Sequence, residues 1–191
     1  SMSTQPGTHA AISTGSEEMR KGREMNLLLR WAPGVLAGLA AAAGLLSAAS
    51  ASQERCAALQ TLALADARVA RAQHLAAGRF TPPQGTAFNV SRPYCRVEIV
   101  ATPTPSSDIR IEVWLPDVTQ WNGRFWGLGN GSFGGQIPYR SLAVRIAAGY
   151  AVVATDTGHQ ADPSDSRWAL GQPEKVADYG HRSIHMAAVH G

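Results

Sequence analysis

The sequence predicts an α/β fold, a sheet entered through an antiparallel hairpin and then extended by strand–helix–strand–helix, with helices covering it. Three observations predict it. Cys95–Ala101 and Ile109–Val113 alternate apolar and polar residues around a Pro/Ser-rich turn, the pattern of a β-hairpin. A glycine-rich loop, Gly129–Gly135, directly follows a short apolar strand. Tyr150–Thr155 is continuously apolar, as in a strand buried on both faces of a parallel sheet.

Taken in order, residues 53–63 read as a short helix carrying Cys56, Leu59 and Leu62. Residues 65–77 are ambiguous: their alanines favour helix, while Val69 and Leu75 suit a strand. Gly78 ends that stretch, and Pro82, Pro83 and Gly85 mark a loop. In the first hairpin strand Val97, Ile99 and Ala101 oppose Arg96, Glu98 and Val100; in the second Ile109, Ile111 and Val113 oppose Arg110 and Glu112. Pro116 stops the second strand, Trp121-Asn122-Gly123 forms a turn, and Arg124–Leu128 is a third strand. Residues 140–148 have a helical pattern that ends at Gly149. Pro173 suits the first position of a final helix, with Glu174 in its first turn, running to the end of the chain.

The 191 residues, 45% hydrophobic with a net charge of +3, allow one domain of ordinary size. Lys and Arg are scattered without an aromatic-interleaved stripe, which argues against a nucleic-acid partner. The one basic cluster, Arg20, Lys21 and Arg23, precedes an apolar run from Trp31 to Leu46 and small residues at Ala49 and Ala51. This is the pattern of a secretory signal peptide over residues 19–51, with cleavage after Ala51, Met19 or Met25 as the start, and a secreted or periplasmic destination. At 16 residues the run is shorter than the roughly 20 that a spanning helix needs, so no stable membrane anchor is expected. Residues 1–51 are thus leader and signal, and 52–191 the mature part. Cys56 and Cys95 both lie in the mature part, where an even pair in an oxidising compartment most simply forms a disulfide; two buried free thiols are the alternative. A bridge closing that loop would contribute on the order of 3–4 kcal/mol.

Gly129-Asn130-Gly131-Ser132-Phe133-Gly134-Gly135 is the segment richest in chemistry, and three chemistries use such a loop. Gly129, Gly131 and Gly134 match GxGxxG, with Asp156 placed as a ribose-binding acid would be; the preceding hairpin, Pro138 and the export signal oppose a dinucleotide. Ser132 as a nucleophile misses G-x-S-x-G by one residue, and Pro138 and Gly135 argue against the immediate helix that a nucleophile elbow needs. In the third, the loop supplies a backbone N–H to an oxyanion hole. A glycine turn that merely lets strands and helix pack remains open beside all three.

Pro93-Tyr94-Cys95-Arg96-Val97, Trp114-Leu115-Pro116, Trp121-Asn122-Gly123-Arg124, the glycine loop, Gly149-Tyr150-Ala151, Thr155-Asp156-Thr157-Gly158-His159, Trp168-Ala169-Leu170, Pro173-Glu174-Lys175, Asp178-Tyr179-Gly180 and His185 occur in this order and spacing. In these motifs the chain resembles the tannase and feruloyl esterase family over roughly residues 53–191. The resemblance implies a partial α/β-hydrolase fold: N-terminal hairpin strands, the Gly-rich loop, then parallel strands with covering helices. It also implies hydrolysis of small aromatic-acid esters through a serine acyl-enzyme, with a Ser-His-Asp triad and a lid domain that often holds calcium. The family's Gly-Cys-Ser-x-Gly-Gly motif does not occur in this sequence. Nucleophile, lid and triad His/Asp are therefore expected beyond these residues, and the 191-residue chain alone is expected to be inactive, with apolar sheet faces exposed. Within it no cofactor or metal is expected.

By the same resemblance Gly131 supplies the early oxyanion N–H, Ser132 stands where the family often has glycine, and Cys56–Cys95 matches an N-terminal disulfide. Ser132, Phe133 and His159 are the candidates for lining a substrate pocket. Asp156 and His159 mimic half a triad but suit structural roles, Asp156 by accepting hydrogen bonds. His181, His185 and His190 on the last helix lack a companion ligand for zinc. Trp114, Trp121 and Trp126 suit core and hairpin packing. The competing function class is a secreted, non-catalytic binding domain that uses a hydrophobic sheet edge.

Overall fold

The computed structural model describes residues 50–191. The expected leader and signal peptide lie almost wholly outside the described residues. Helix α1 covers residues 50–58 and tightens into a 3₁₀ turn at Leu59–Thr61. The strands are β1 Ala63–Leu64, β2 Ala67–Leu75, β3 Gly78–Phe80, β4 Phe88–Val90, β5 Tyr94–Ala101, β6 Ile109–Pro116, β7 Phe125–Leu128 and β8 Ala151–Thr155. Helix α2 spans Tyr139–Ala147, α3 Pro173–Ala177 and α4 Ser183–His190. Six strands form one sheet in the order β1-β2-β5-β6-β8-β7, and β3 pairs with β4 apart from it.

β5 and β6 pair antiparallel from Tyr94↔Pro116 to Ala101↔Ile109, so the predicted hairpin forms with its alternation in register. The ambiguous stretch 65–77 becomes β2 because it lies antiparallel along the whole of β5, where pairing outweighs the helical preference of its alanines. A bulge between Val69 and Arg71 interrupts that ladder. β8 is buried at every residue: β6 runs antiparallel on one side and β7 parallel on the other. The sequence pattern of a doubly covered strand is thus explained, although only one neighbour is parallel.

The sheet buries apolar side chains on both faces. One face carries Val97, Ile99, Ile111, Val113 and Val153, packed with Cys56 of α1 and Met186 and Ala187 of α4. The other carries Tyr94, Trp114 and Val152, packed with Leu142 and Ile146 of α2 and with Phe80 and Val90 of β3 and β4. Cys56 and Cys95 are joined by a disulfide that ties α1 to β5, their Cα atoms 5.6 Å apart. Among the described residues no helix is long and apolar enough to cross a membrane.

Three features depart from the sequence pattern. Glu112 alternates with apolar residues as a surface residue would, yet it is buried. Its carboxylate accepts from Arg96 Nε at 2.9 Å, from Tyr139 Oη and Trp114 Nε1 at 3.0 Å each, and from Arg96 Nη2. Trp114 is fully buried as expected, stacked on Tyr94 at 4.4 Å between ring centroids, whereas Trp121 and Trp126 are exposed. Trp121 Nε1 instead closes its turn onto the Arg124 carbonyl, and Trp126 on the open β7 edge is covered by the Arg145 guanidinium, 3.7 Å from its ring. The expected final helix is broken in register by a π turn, Asp178–Arg182, between α3 and α4.

Parallel pairing brings the C-terminal ends of β7 and β8 side by side, with Leu128 opposite Ala154. The glycine loop and the segment 156–159 therefore leave the sheet together, at the end where open α/β sheets bind ligands.

Candidate active site

The loop Gly129–Gly135 has an exposed tip and a buried base: Gly131, Ser132 and Phe133 are exposed, Gly134 and Gly135 buried. Asn130 Nδ2 donates to the Thr155 carbonyl at 2.8 Å, fastening the start of the loop to the end of β8. At the base, Phe133 N–H donates to Pro163 at 3.1 Å, Gly134 N–H to Gly131 at 3.1 Å and Gly135 N–H to Ala161 at 3.2 Å. Gly135 is glycine for a steric reason, since a Cβ there would lie 2.3 Å from the His159 carbonyl oxygen. Ser132 has φ 52°, a left-handed conformation that favours glycine.

Among the described residues no acceptor takes the amides of Gly131 and Ser132. The Gly131 carbonyl accepts from Gly134, and because C=O and N–H of a trans peptide point in opposite directions, the Ser132 N–H is directed away from the loop base. The tip therefore offers two unengaged backbone donors at the mouth of two parallel strands.

His159 is buried, and its ring is committed to the loop. Nε2 donates to the Phe133 carbonyl at 2.9 Å, and the ring stacks on Trp168 with centroids 3.8 Å apart. It also lines a cavity of about 200 Å³ with Asp108, Asp156 and Lys175. A second cavity, of about 260 Å³, opens on the sheet beside Glu98, Arg110, Tyr139 and Asp156; neither cavity includes Gly131, Ser132 or Phe133. Asp156 Oδ1 accepts from Arg110 N–H at 2.9 Å and Gly158 N–H at 3.0 Å, the structural role expected of it. Burial outweighs those two bonds and pushes its carboxyl up to about 7. The side chains of Asp156 and His159 are not hydrogen-bonded to each other, so they do not form a dyad.

The two other loop chemistries meet specific obstacles. A pyrophosphate needs a helix starting at the third glycine with free amides facing it. Here α2 starts at Tyr139, and the amides of Phe133, Gly134 and Gly135 are held by carbonyls. A nucleophilic Ser132 needs an immediate helix and a base. It is followed by loop, and among the described residues no imidazole is hydrogen-bonded to its Oγ.

Sequence reasoning missed Trp168 and Tyr179. Trp168 Nε1 donates to the Phe133 carbonyl at 3.3 Å, and Tyr179 Oη donates to the Ser132 carbonyl. Both stand within motifs that carry the family resemblance, but nothing in their spacing shows that they converge on the loop.

The sequence model of the family described as tannase and feruloyl esterase matches residues 95–191. The chain belongs to this family. It is 39% identical over 150 residues to an uncharacterised esterase of Xanthomonas campestris pv. campestris, covering 78% of this chain and 26% of that one. It is also 39% identical over 99 residues to a probable feruloyl esterase B-1 of Aspergillus terreus, covering 52% of this chain and 18% of the relative. The structure matches the crystal structure of feruloyl esterase B from Aspergillus oryzae with a TM-score of 0.64 and 26% identity, over 72% of this chain and 27% of that one. Sheet, loop and covering helices are accordingly a partial α/β-hydrolase fold. The chain spans about a quarter or less of the length of these relatives.

Proposed function

We propose that the protein to which these residues belong is a carboxylic ester hydrolase acting on esters of aromatic acids, and that residues 52–191 are the N-terminal part of its catalytic domain. The names of the family and of its feruloyl esterase relatives support the substrate class. One observation carries the local reading: the exposed Gly131 amide, without an acceptor among the described residues, lies beyond the end of β7 on a loop whose base is fully bonded. Such a donor suits the oxygen of a tetrahedral intermediate.

In this reading a serine supplied by polypeptide outside these residues attacks the ester carbonyl carbon. The carbonyl oxygen takes the negative charge and is held by Gly131 N–H and an amide beside the serine. A histidine accepts the serine proton and passes it to the departing alcohol, leaving an acyl-enzyme. Water then attacks the acyl carbon by the same route, releasing the aromatic acid and restoring the serine. Ser132 and Phe133 on the loop tip, and His159 bonded to the loop, are the candidates to meet the acyl group. The Cys56–Cys95 bridge supports a secreted or periplasmic location.

The test is a structure of the intact protein inactivated by an aryl phosphonate. A phosphoryl oxygen about 3 Å from Gly131 N is expected; an oxygen bound elsewhere, or a Gly131 N–H turned away from the serine, ends the reading. Assays on methyl gallate, methyl ferulate and a terephthalate monoester test the substrate class. No turnover of any of them by the intact protein would favour the non-catalytic alternative.

A further inference from the structure

Three side chains from separate segments converge on two successive carbonyls of the glycine loop. His159, after β8, and Trp168, in a 3₁₀ turn, both donate to the Phe133 carbonyl, and Tyr179, in the π turn, donates to the Ser132 carbonyl. The three rings also pack on one another: His159 lies 3.8 Å from Trp168 and 5.7 Å from Tyr179, and Trp168 lies 5.1 Å from Tyr179 between centroids. Each residue places a ring in the cluster and a donor on the loop.

The π turn that presents Tyr179 is itself anchored. The preceding residue, Asp178, is buried, and its Oδ1 accepts from Ser107 Oγ at 3.0 Å and from Arg182 Nη1 at 2.7 Å. Gly158 allows this approach, because a Cβ there would come within 2.9 Å of Asp178 Cβ. The extra residue of a π turn rotates the succeeding helical residues to a new facing, and such turns recur at functional sites.

We infer that Tyr179, Trp168 and His159 are positioning residues that hold the loop tip, so that the Ser132 amide stays turned outward beside the unengaged Gly131 amide. This rests on the oxyanion reading of the loop. Holding the carbonyls of Ser132 and Phe133 fixes the two peptide planes after Ser132, while the Gly134 N–H on the Gly131 carbonyl holds the plane before it; between these Ser132 keeps its left-handed φ of 52°. If the peptides were released, Ser132 would relax toward negative φ, its outward amide would turn and the tip beside Gly131 would loosen. None of the three aromatic residues needs to touch the ester. They fix the donors before the charge develops, which is the condition for electrostatic stabilisation of a transition state.

The experiment uses two variants of the intact protein that each remove one donor and keep a ring, Tyr179→Phe and Trp168→Phe. Hydrogen exchange over residues 129–135 and steady-state ester hydrolysis are measured on both. For Tyr179→Phe we expect faster loop exchange, a fall in kcat of about 10-fold with KM changed by less than about 3-fold, and an equal fall in the rate of phosphonate inactivation. Trp168→Phe should move each readout in the same direction by less, since Phe133 keeps its bond from His159. Unchanged exchange with unchanged kcat overturns the clamp. Unchanged exchange with a lower kcat also overturns it, because Tyr179 would then act on the substrate directly. Faster exchange with unchanged kcat leaves a loop tether but removes the oxyanion reading, so the two failures are distinguishable. Both variants are first checked for an unchanged melting temperature.

Discussion

Arg96 Nε donates to Glu112 Oε2 at 2.9 Å, reaching diagonally across the β5–β6 hairpin because Arg96 itself stands opposite Trp114. Their side chains are only 12% and 4% exposed, so the pair is a buried ion pair and not a surface one. Tyr139 of α2 donates to the same carboxylate and thereby fastens the helix after the glycine loop to the sheet.

Removing one partner should be worse than removing both charges. Arg96→Met leaves a buried carboxylate with no counter-charge in contact and should destabilise the domain by about 3–5 kcal/mol. Arg96→Met combined with Glu112→Gln should recover more than half of that loss, since Gln still offers an acceptor to Tyr139 and Trp114. Urea unfolding of the wild type, both single variants and the double variant closes the cycle; additive effects would show the pair to be uncoupled.

Asp156 should make the domain less stable as pH rises. Burial raises its carboxyl to about 7, above the ordinary value near 3.8, so the folded state holds the proton more tightly than the unfolded chain does. The stability from this group is fully present below the unfolded value and is lost as pH rises through about 7, a change on the order of 4 kcal/mol for a shift of about three units. Asp156→Asn keeps an oxygen for the amides of Arg110 and Gly158 and cannot ionise. Its unfolding free energy should lack the part of the decline between pH 4 and 7 that the wild type shows. Parallel pH profiles for the two proteins would refute the assignment.

Two glycines of one loop should respond unequally to alanine. A Cβ at Gly135 would meet the His159 carbonyl oxygen at 2.3 Å and ring Cδ2 at 2.6 Å, so Gly135→Ala must push His159 away from the loop. A loss of about 2 kcal/mol or more is expected, at the upper part of the range for overpacking. A Cβ at Gly131 meets nothing within 4 Å, and its φ lies outside the left-handed region, so Gly131→Ala should stay within about 1 kcal/mol of the wild type. Thermal unfolding of the two variants decides; similar melting temperatures would contradict the packing described at Gly135.

Much of the fold was legible because its strands carry their partners in their patterning. Val97, Ile99, Ile111 and Val113 alternate because they share the hairpin face that packs on α1 and α4, opposite Arg96 and Glu112, and Ala151–Thr155 is unbroken because both its faces are apolar and buried. β2 was not legible. Ala70, Ala72 and Gln73 suit a helix as well as a strand, and only the long ladder with β5 decides between them. Glu112 misled for a related reason: alternation assigns a residue to a face, but not whether that face meets water or Arg96, Tyr139 and Trp114.

The sequence by itself determined the strand and helix periods, the glycine loop after β7 and the family motifs, since these depend on residues close together along the chain. Tertiary structure alone decided that His159, Trp168 and Tyr179 meet at the carbonyls of Ser132 and Phe133. Tyr179 lies 47 residues from Ser132 in sequence, and no local pattern encodes that distance. The parallel pairing of β7 with β8, the anchoring of Asp178 and the change of helical register at the π turn together bring them into contact.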